Sequence, residues 1–142
     1  MRLTLVAVGK LKDPGLTALC DGYQRRLRPY LPLEQIECRD RDALRERRRR
    51  GAGRHIYLDE RGDTPSTLEL ADWLRAWQAE GIRDLNFYIG DADGFDDDDR
   101  RAADRLLALS RLTLPHRLAR LLLLEQLYRV ATHLAGHPYH HI

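Results

Sequence analysis

The chain has 142 residues, of which 43% are hydrophobic, and its 24 basic and 22 acidic side chains leave a formal net charge of +2. This length predicts one domain, spanning residues 1–142, with a modest core. The near-balanced charge gives no argument for nucleic-acid binding through bulk charge. The longest apolar stretch, 118–124, is interrupted by Arg120 and is too short to cross a bilayer, so we expect no membrane partner.

The cysteines and the choice of basic residue bear on the cellular setting. Cys20 lies in a predicted helix and Cys38 in a predicted strand, so we expect free thiols packed as small apolar side chains in a reduced, cytoplasmic protein. Only Lys10 and Lys12 among the 24 basic residues are lysines. Arginine binds phosphate as a fork and stacks on bases, although a preference for arginine codons gives the same composition.

The first third of the chain predicts a strand, a helix and a second strand. Residues 3–8 are β-rich and stop at Gly9, which is typical of a buried strand. Helical spacing follows over 16–27, and a weak alternation over 33–38 indicates the second strand. Residues 39–50 are almost all charged. Six arginines, Arg45, Arg47 to Arg50 and Arg54, either grip phosphates or form a solvated loop compensated by Asp and Glu.

The rest of the chain alternates between the two kinds of element. Strands are predicted over 55–59, 85–89 and 112–114, and helices over 96–109 and 117–135. A further helix begins at Thr64 and Pro65, ends at Gly81, and is expected to bury Leu68, Leu70, Trp73, Leu74 and Trp77. This alternation predicts an α/β fold, a mostly parallel sheet flanked by helices.

Three loops are candidates for a binding site, because parallel sheets bind ligands beyond the carboxyl ends of their strands. They are 58–60, 90–94 and 114–116. The glycine loop matches neither the dinucleotide fingerprint nor the phosphate loop, so Gly90 and Gly94 alone indicate only a turn.

Two groups on the final helix invite a functional interpretation. Glu125, Tyr128 and Arg129 share a helix face, either as a plain ion pair or as a carboxylate that directs the arginine into a site. His133 and His137 have helical ligand spacing, but no cysteine or acidic residue lies near them in sequence. We therefore expect no metal.

Several of these segments together resemble the SPOUT methyltransferases. More narrowly, they are similar to the family that methylates N3 of a pseudouridine in the 23S ribosomal RNA of the large subunit. The most specific part is Leu-Thr-Leu-Pro-His at 112–116, followed by Glu-Gln-Leu-Tyr-Arg at 125–129 and a terminal His-Pro-Tyr-His at 137–140. Weaker matches lie at 5–10, 58–59, 87–90, 92–94 and 109–110.

The resemblance implies a fold, an assembly and a donor site. The fold is a SPOUT domain with a C-terminal trefoil knot, and the assembly is a homodimer with each site at the subunit interface. The methyl donor is S-adenosylmethionine, held largely by backbone groups without a metal. The matching donor-site positions are Leu58, Gly90, Asp91, Ser110, Arg111, Leu112, Thr113, Leu114 and Pro115.

The resemblance also implies where the chemistry takes place. Tyr139, His140 and His116 are the candidates near the N3 proton, and nothing in the sequence ranks them. Arg129, oriented by Glu125, binds a phosphate or the developing charge on the base. Asp91 stands where the family usually has glycine. This departure raises the alternative of a knotted dimer that binds RNA or the ribosome with weakened donor binding.

Overall fold

The computed structural model describes residues 1–137, which form five strands and five helices in alternation. This confirms the predicted α/β class. In chain order the elements are β1 Arg2–Val8, α1 Pro14–Leu27, β2 Leu33–Cys38, α2 Arg41–Arg50, β3 Arg54–Asp63, α3 Thr67–Ala79, β4 Asp84–Ile89, α4 Asp97–Ala102, β5 Arg105–Leu107 and α5 His116–Leu134.

The five strands form one sheet in the order β2-β1-β4-β3-β5, and every neighbouring pair is parallel. In the registers, Ala7 lies opposite Ile89, Tyr57 opposite Tyr88, and Leu58 opposite Leu107. The carboxyl ends of β1, β4, β3 and β5 therefore meet at one edge of the sheet. The trefoil knot implied by the resemblance stays a prediction.

Each face of the sheet carries its own apolar cluster. On one face α5 and the sheet exclude Leu5, Phe87 and Leu123 from solvent, together with residues of α1 and α3. On the other face Tyr57 and Tyr88 pack with Leu44 of α2. Cys20 and Cys38 are free and buried, one in each cluster, as predicted. Within residues 1–137 no helix has the length and apolar character needed to cross a membrane.

The predicted fifth strand is wrong. Residues 112–114 form a loop, and β5 is instead Arg105–Leu107. The predicted 96–109 helix is correspondingly shorter: Asp96 and Asp99 cap its start, but Ala103 is already extended. The physical reason is non-local, because 105–107 hydrogen-bond to β3 and that pairing outweighs local helix propensity.

The charged segment 39–50 contains a helix that the sequence analysis did not assign. Asp40 caps α2 by accepting a hydrogen bond from the backbone N–H of Ala43, and Leu44 anchors the helix in the core. Ion pairs neutralise its outer face. Arg45 bonds to the buried Asp99, whose pKa it holds below its usual range through their hydrogen bond.

The helix predicted to start at Thr64 begins three residues later. Ser66 and Glu69 form a capping box, and this reciprocal pair of hydrogen bonds outweighs the Thr64-Pro65 signal. Leu70 and Leu74 are buried as predicted, but Leu68 is 42% exposed and its predicted burial is wrong. Trp73 and Trp77 are half-buried and stack edge to face.

A buried histidine links β3 to β4. His55 Nε2 donates to the carbonyl of Gly51 at 3.2 Å, which leaves Nδ1 to accept from the Tyr88 hydroxyl at 2.7 Å. Burial and then the nearby Arg48 hold the pKa of His55 below its usual range. The folded protein therefore holds a neutral imidazole.

We expect this imidazole to make stability fall in mild acid. Below about pH 6.5 the unfolded chain takes up a proton that the folded chain refuses, so the free energy of unfolding decreases by at most about 1.4 kcal/mol per pH unit. Urea unfolding of the wild type and His55→Gln at pH 7.5 and 5.5 tests this. The stability advantage of the wild type should shrink at the lower pH. An advantage that is the same at both values contradicts the prediction.

Candidate methyl-donor site

A cavity of about 650 Å³ opens at the edge where the strand ends meet. This volume lies in the range of small-molecule sites. The three segments predicted as loops converge on it, together with the first turn of α5. The segment 58–60 is not a loop, because it lies within β3, where the pairing with β5 shifts register. Of the predicted positions, its lining includes Leu58, Gly90, Asp91, Ser110, Leu112, Thr113, Leu114, Pro115 and His116. Arg111 is exposed and does not line the cavity.

The Gly90–Gly94 turn forms one wall. A Cβ at Gly90 would lie 3.2 Å from the backbone of Gly94, so any larger residue at 90 would push the two backbones apart by a few tenths of an ångström. Gly94 itself has a φ of +71°, and its N–H donates to the carbonyl of Asp91. The turn thus brings backbone groups to the cavity wall, beside the side chains of Asp91 and Asp93.

Asp91, the departure from the family pattern, is tied to its own loop. Its Oδ1 accepts a hydrogen bond of 3.0 Å from the backbone N–H of Asp93 and lies 3.6 Å from a nitrogen of Arg41. Its backbone is not left-handed. The carboxylate therefore has a local role in holding the turn, and Arg41 offsets its charge.

The opposite wall is the loop that leads into α5. The Ser110 hydroxyl accepts from the N–H of Leu112 at 2.9 Å and shapes the loop locally. Pro115 precedes the helix without a side-chain cap, so the first-turn N–H groups of α5 have no side-chain acceptor. This wall thus also offers backbone groups.

Sequence reasoning missed a buried ion pair between the walls. Arg100 of α4 donates from Nε to Asp59 Oδ2 at 2.9 Å, and from Nη2 to the carbonyl of Phe95 at 2.7 Å. The side chain of Asp59 is only 4% exposed. Arg100 therefore joins β3 to the end of the glycine turn. An acidic residue directly after a buried strand was the only signal available in the sequence.

The two ends of the cavity differ in the charged groups that line them. Four carboxylates, from Asp59, Glu60, Asp91 and Asp93, line the end formed by β3 and the glycine turn. His116 lines the end formed by α5. Arg100 pairs with Asp59, and Arg41 lies near both Asp91 and Asp93, so this end keeps a smaller negative excess. That excess suits a ligand with a positive centre.

Glu125 and Arg129 lie away from this cavity within one chain. Ala119 is the last α5 residue in the lining, and Arg129 follows ten residues later, about 15 Å along the axis. Glu125 Oε1 accepts from Arg129 Nε at 2.9 Å, so the predicted ion pair is present. Tyr139 and His140 lie outside the described residues.

The other two sequence candidates do not form sites in the described chain. Among the arginines at 45–54, Arg45, Arg49, Arg50 and Arg54 each pair with a carboxylate, which supports the charge-compensated interpretation. A search of residues 1–137 gives no group of three His, Cys, Asp or Glu side chains placed to hold a metal.

The sheet order and the backbone-walled cavity define an α/β methyltransferase-like domain, and comparison with known proteins gives the family. The chain belongs to the family described as "Predicted SPOUT methyltransferase", whose model matches residues 1–140.

Its curated relatives are more specific. The chain is 44% identical to ribosomal RNA large subunit methyltransferase H of Thermus thermophilus, over 99% of this chain and 98% of the relative. It is 40% identical to the protein of the same name from Koribacter versatilis, with the same coverage. Among solved structures, a putative methyltransferase from Legionella pneumophila with bound SAM has a TM-score of 0.53 at 12% identity. The match covers 92% of this chain and 66% of that one, and it supports the fold alone.

We expect Arg100 to position the donor site. Arg100→Gln frees the glycine turn from β3 and should weaken S-adenosylmethionine binding by about tenfold, as lost charged hydrogen bonds typically do. Arg101→Gln is the matched control, because Arg101 is exposed and pairs only with the exposed Asp98. Calorimetric titration measures both, and Arg100→Lys should recover part of the affinity. Equal affinities for Arg100→Gln and Arg101→Gln would contradict the role.

Proposed function

We propose that this protein transfers a methyl group from S-adenosylmethionine to N3 of a pseudouridine in 23S ribosomal RNA. The observation that carries the proposal is the cavity at the sheet edge. It gathers eight of the nine positions matched to the family's donor site, all but Arg111, in a chain 40% or more identical over nearly its full length to ribosomal RNA large subunit methyltransferases H.

The cavity fits the proposed donor. S-Adenosylmethionine, when bound, supplies a methyl group already activated by a positive sulfur. The carboxylates at one end of the cavity suit the positive centres of such a molecule. The close backbone approach at Gly90 suits a ligand gripped by peptide groups rather than by side chains. We propose that Leu58, Gly90, Asp91 and 110–115 form this donor site.

The protein must also align N3 of the target base with the methyl group and help to remove the N3 proton. A bond forms between the methyl carbon and N3 while the sulfur–methyl bond breaks, and the N3 proton passes to a base. His116 lines the cavity and is one candidate; Tyr139 and His140 of the tail are the others. Arg129, held by Glu125, would neutralise a phosphate or the charge that develops on the base.

The distance between Arg129 and the cavity supports a site shared by two subunits. Within one chain the two lie about 15 Å apart along α5. A two-fold homodimer would bring Arg129 and the tail of the partner to the donor cavity. We propose that residues 1–142 act as one domain in this dimer, in the cytoplasm, where ribosomes are methylated.

The function is tested with ribosomes from cells that lack this modification. The wild type should methylate them, and removal of 138–142 should abolish transfer while donor binding persists. Tyr139→Phe should lower the rate by about a hundredfold if its hydroxyl orients or accepts the proton. Donor binding without transfer by the wild type would contradict the proposal. A wild type that does not bind S-adenosylmethionine would favour the alternative, an RNA-binding dimer.

The dimer has a test of its own. Leu118 and Leu122 lie one turn apart on α5 and are 44% and 43% exposed, which is typical of an interface. Sedimentation at micromolar concentration should give a dimer for the wild type. Leu118→Glu combined with Leu122→Glu should give a folded monomer. Leu19→Glu, at a position 54% exposed on α1, should leave the dimer intact. A monomeric wild type would contradict the shared site.

A further inference from the structure

We infer that RNA phosphates beside the target base dock on a basic ledge formed by Lys10, Lys12 and Arg117, and not on the arginine-rich helix α2. The inference rests on the proposed function and names the surface by which that function reaches its substrate. Three observations carry it: the position of the ledge, the state of its charges, and the charge on the opposite rim.

The ledge adjoins the donor cavity. Lys10 follows β1, and Arg117 lies in the first turn of α5; both line a small crevice with His116. His116 and Ile89 line both the crevice and the donor cavity, so the two adjoin each other. Lys12 is two residues further along the same loop and is exposed. A nucleotide whose base enters the cavity would leave its phosphates within reach of these three cations.

The charges of the ledge are available. Within residues 1–137, Lys10, Lys12 and Arg117 form no salt bridge, and all three are exposed. Two carboxylates lie close to the ledge, and both have other partners. Glu37, whose charge interacts with that of Lys10, accepts from the N–H of Leu11 and from Arg120 Nη1. Asp13 accepts from the N–H groups of Gly15 and Leu16. An RNA phosphate that binds the ledge therefore displaces counter-ions rather than protein carboxylates, and this release is the main source of affinity for nucleic acid.

The arginines of α2 other than Arg47 are in the opposite state, and Arg47 alone among the described arginines of this helix is exposed without a partner. Arg45 bonds to Asp99 and Asp96, and both Arg49 and Arg50 bond to Glu46. Arg48 donates to the carbonyl of Ala102. A phosphate on this helix would have to break existing ion pairs, and it would face the neighbouring carboxylates of α4. The density of arginine in the sequence therefore does not mark the RNA surface.

The opposite rim of the cavity repels phosphate. Glu60, Asp91 and Asp93 lie there, so an RNA strand that approached from that side would bring like charges together. The ledge instead presents three unpaired positive charges beside the cavity. RNA thus reaches the cavity across the start of α5.

Two matched triple variants test the inference. Lys10→Gln, Lys12→Gln and Arg117→Gln together remove three charges from the ledge. Arg47→Gln, Arg49→Gln and Arg50→Gln remove three from α2. The readouts are kcat/KM for large ribosomal subunits at two salt concentrations, equilibrium binding to the same subunits, and calorimetric titration with S-adenosylmethionine. Thermal unfolding establishes that each variant is folded, and Lys10→Glu alone replaces the ledge triple if it is not.

The ledge triple should lose about tenfold or more in kcat/KM and in subunit binding, with donor affinity unchanged. Subunit binding by this triple should also depend less on salt. Each lost phosphate contact lowers the slope of log K against log salt by about 0.7, so the loss of three lowers it by about two. The α2 triple should stay within about threefold of the wild type in both kcat/KM and subunit binding. Equal losses in both triples, or losses only in the α2 triple, would overturn the inference. Subunit binding decides it even if the wild type proves unable to transfer methyl groups, an outcome that would refute the proposed function separately.

Discussion

Four side chains of α5, those of Leu123, Leu124, Leu127 and Val130, are fully excluded from solvent against one face of the sheet. Burying each of these side chains stabilises the fold by about 1.5–3 kcal/mol relative to leaving it exposed, and this fixes the helix in position. Because the helix cannot slide, its first residue, His116, has a set place at the sheet edge. The loop before it is then stretched across the ends of β3 and β4, and this produces the cavity.

A buried arginine reinforces the same placement. Arg120 is one turn into α5 and is 7% exposed. Its guanidinium donates to the side-chain oxygen of Gln35 at 2.9 Å and to Glu37 at 2.9 Å, both on β2. Glu37 in turn receives the N–H of Leu11. Burial alone would raise the pKa of Glu37, but these hydrogen bonds hold it below its usual range. The start of α5, the end of β2 and the loop after β1 thus form one unit.

The parts of this fold that depend on local patterns could be read from the sequence. The first, second and fourth strands, the long final helix and the cavity loops at 90–94 and before α5 follow from runs of β-formers, helical spacing and turn residues. The missed parts depend on distant partners. β5 is three residues long and exists only because β3 is beside it, and α2 is a helix because Leu44 finds a core and its charges find carboxylates.

The candidate site divides in the same way. Its backbone walls were predictable, because they lie in turns with recognisable residues. The Arg100–Asp59 pair was not, since the two residues are 41 positions apart and each resembles an ordinary surface charge. The sequence also left the two interpretations of the arginine segment open, for a related reason. Sequence gives the number of charges in a segment, but only the fold reveals which of them are already neutralised by a neighbour.

The Arg100–Asp59 pair has a thermodynamic consequence for ligand binding. Ordering a flexible loop costs roughly 1–2 kcal/mol per residue in backbone entropy, and a ligand that must impose this order loses affinity accordingly. Here Arg100 already connects Asp59 to the carbonyl of Phe95, so the glycine turn is fixed to β3 when the chain folds. The entropy of that turn is lost on folding and not on binding. A cavity with few side-chain contacts can therefore hold a small molecule firmly, because its peptide groups are in place before the molecule arrives.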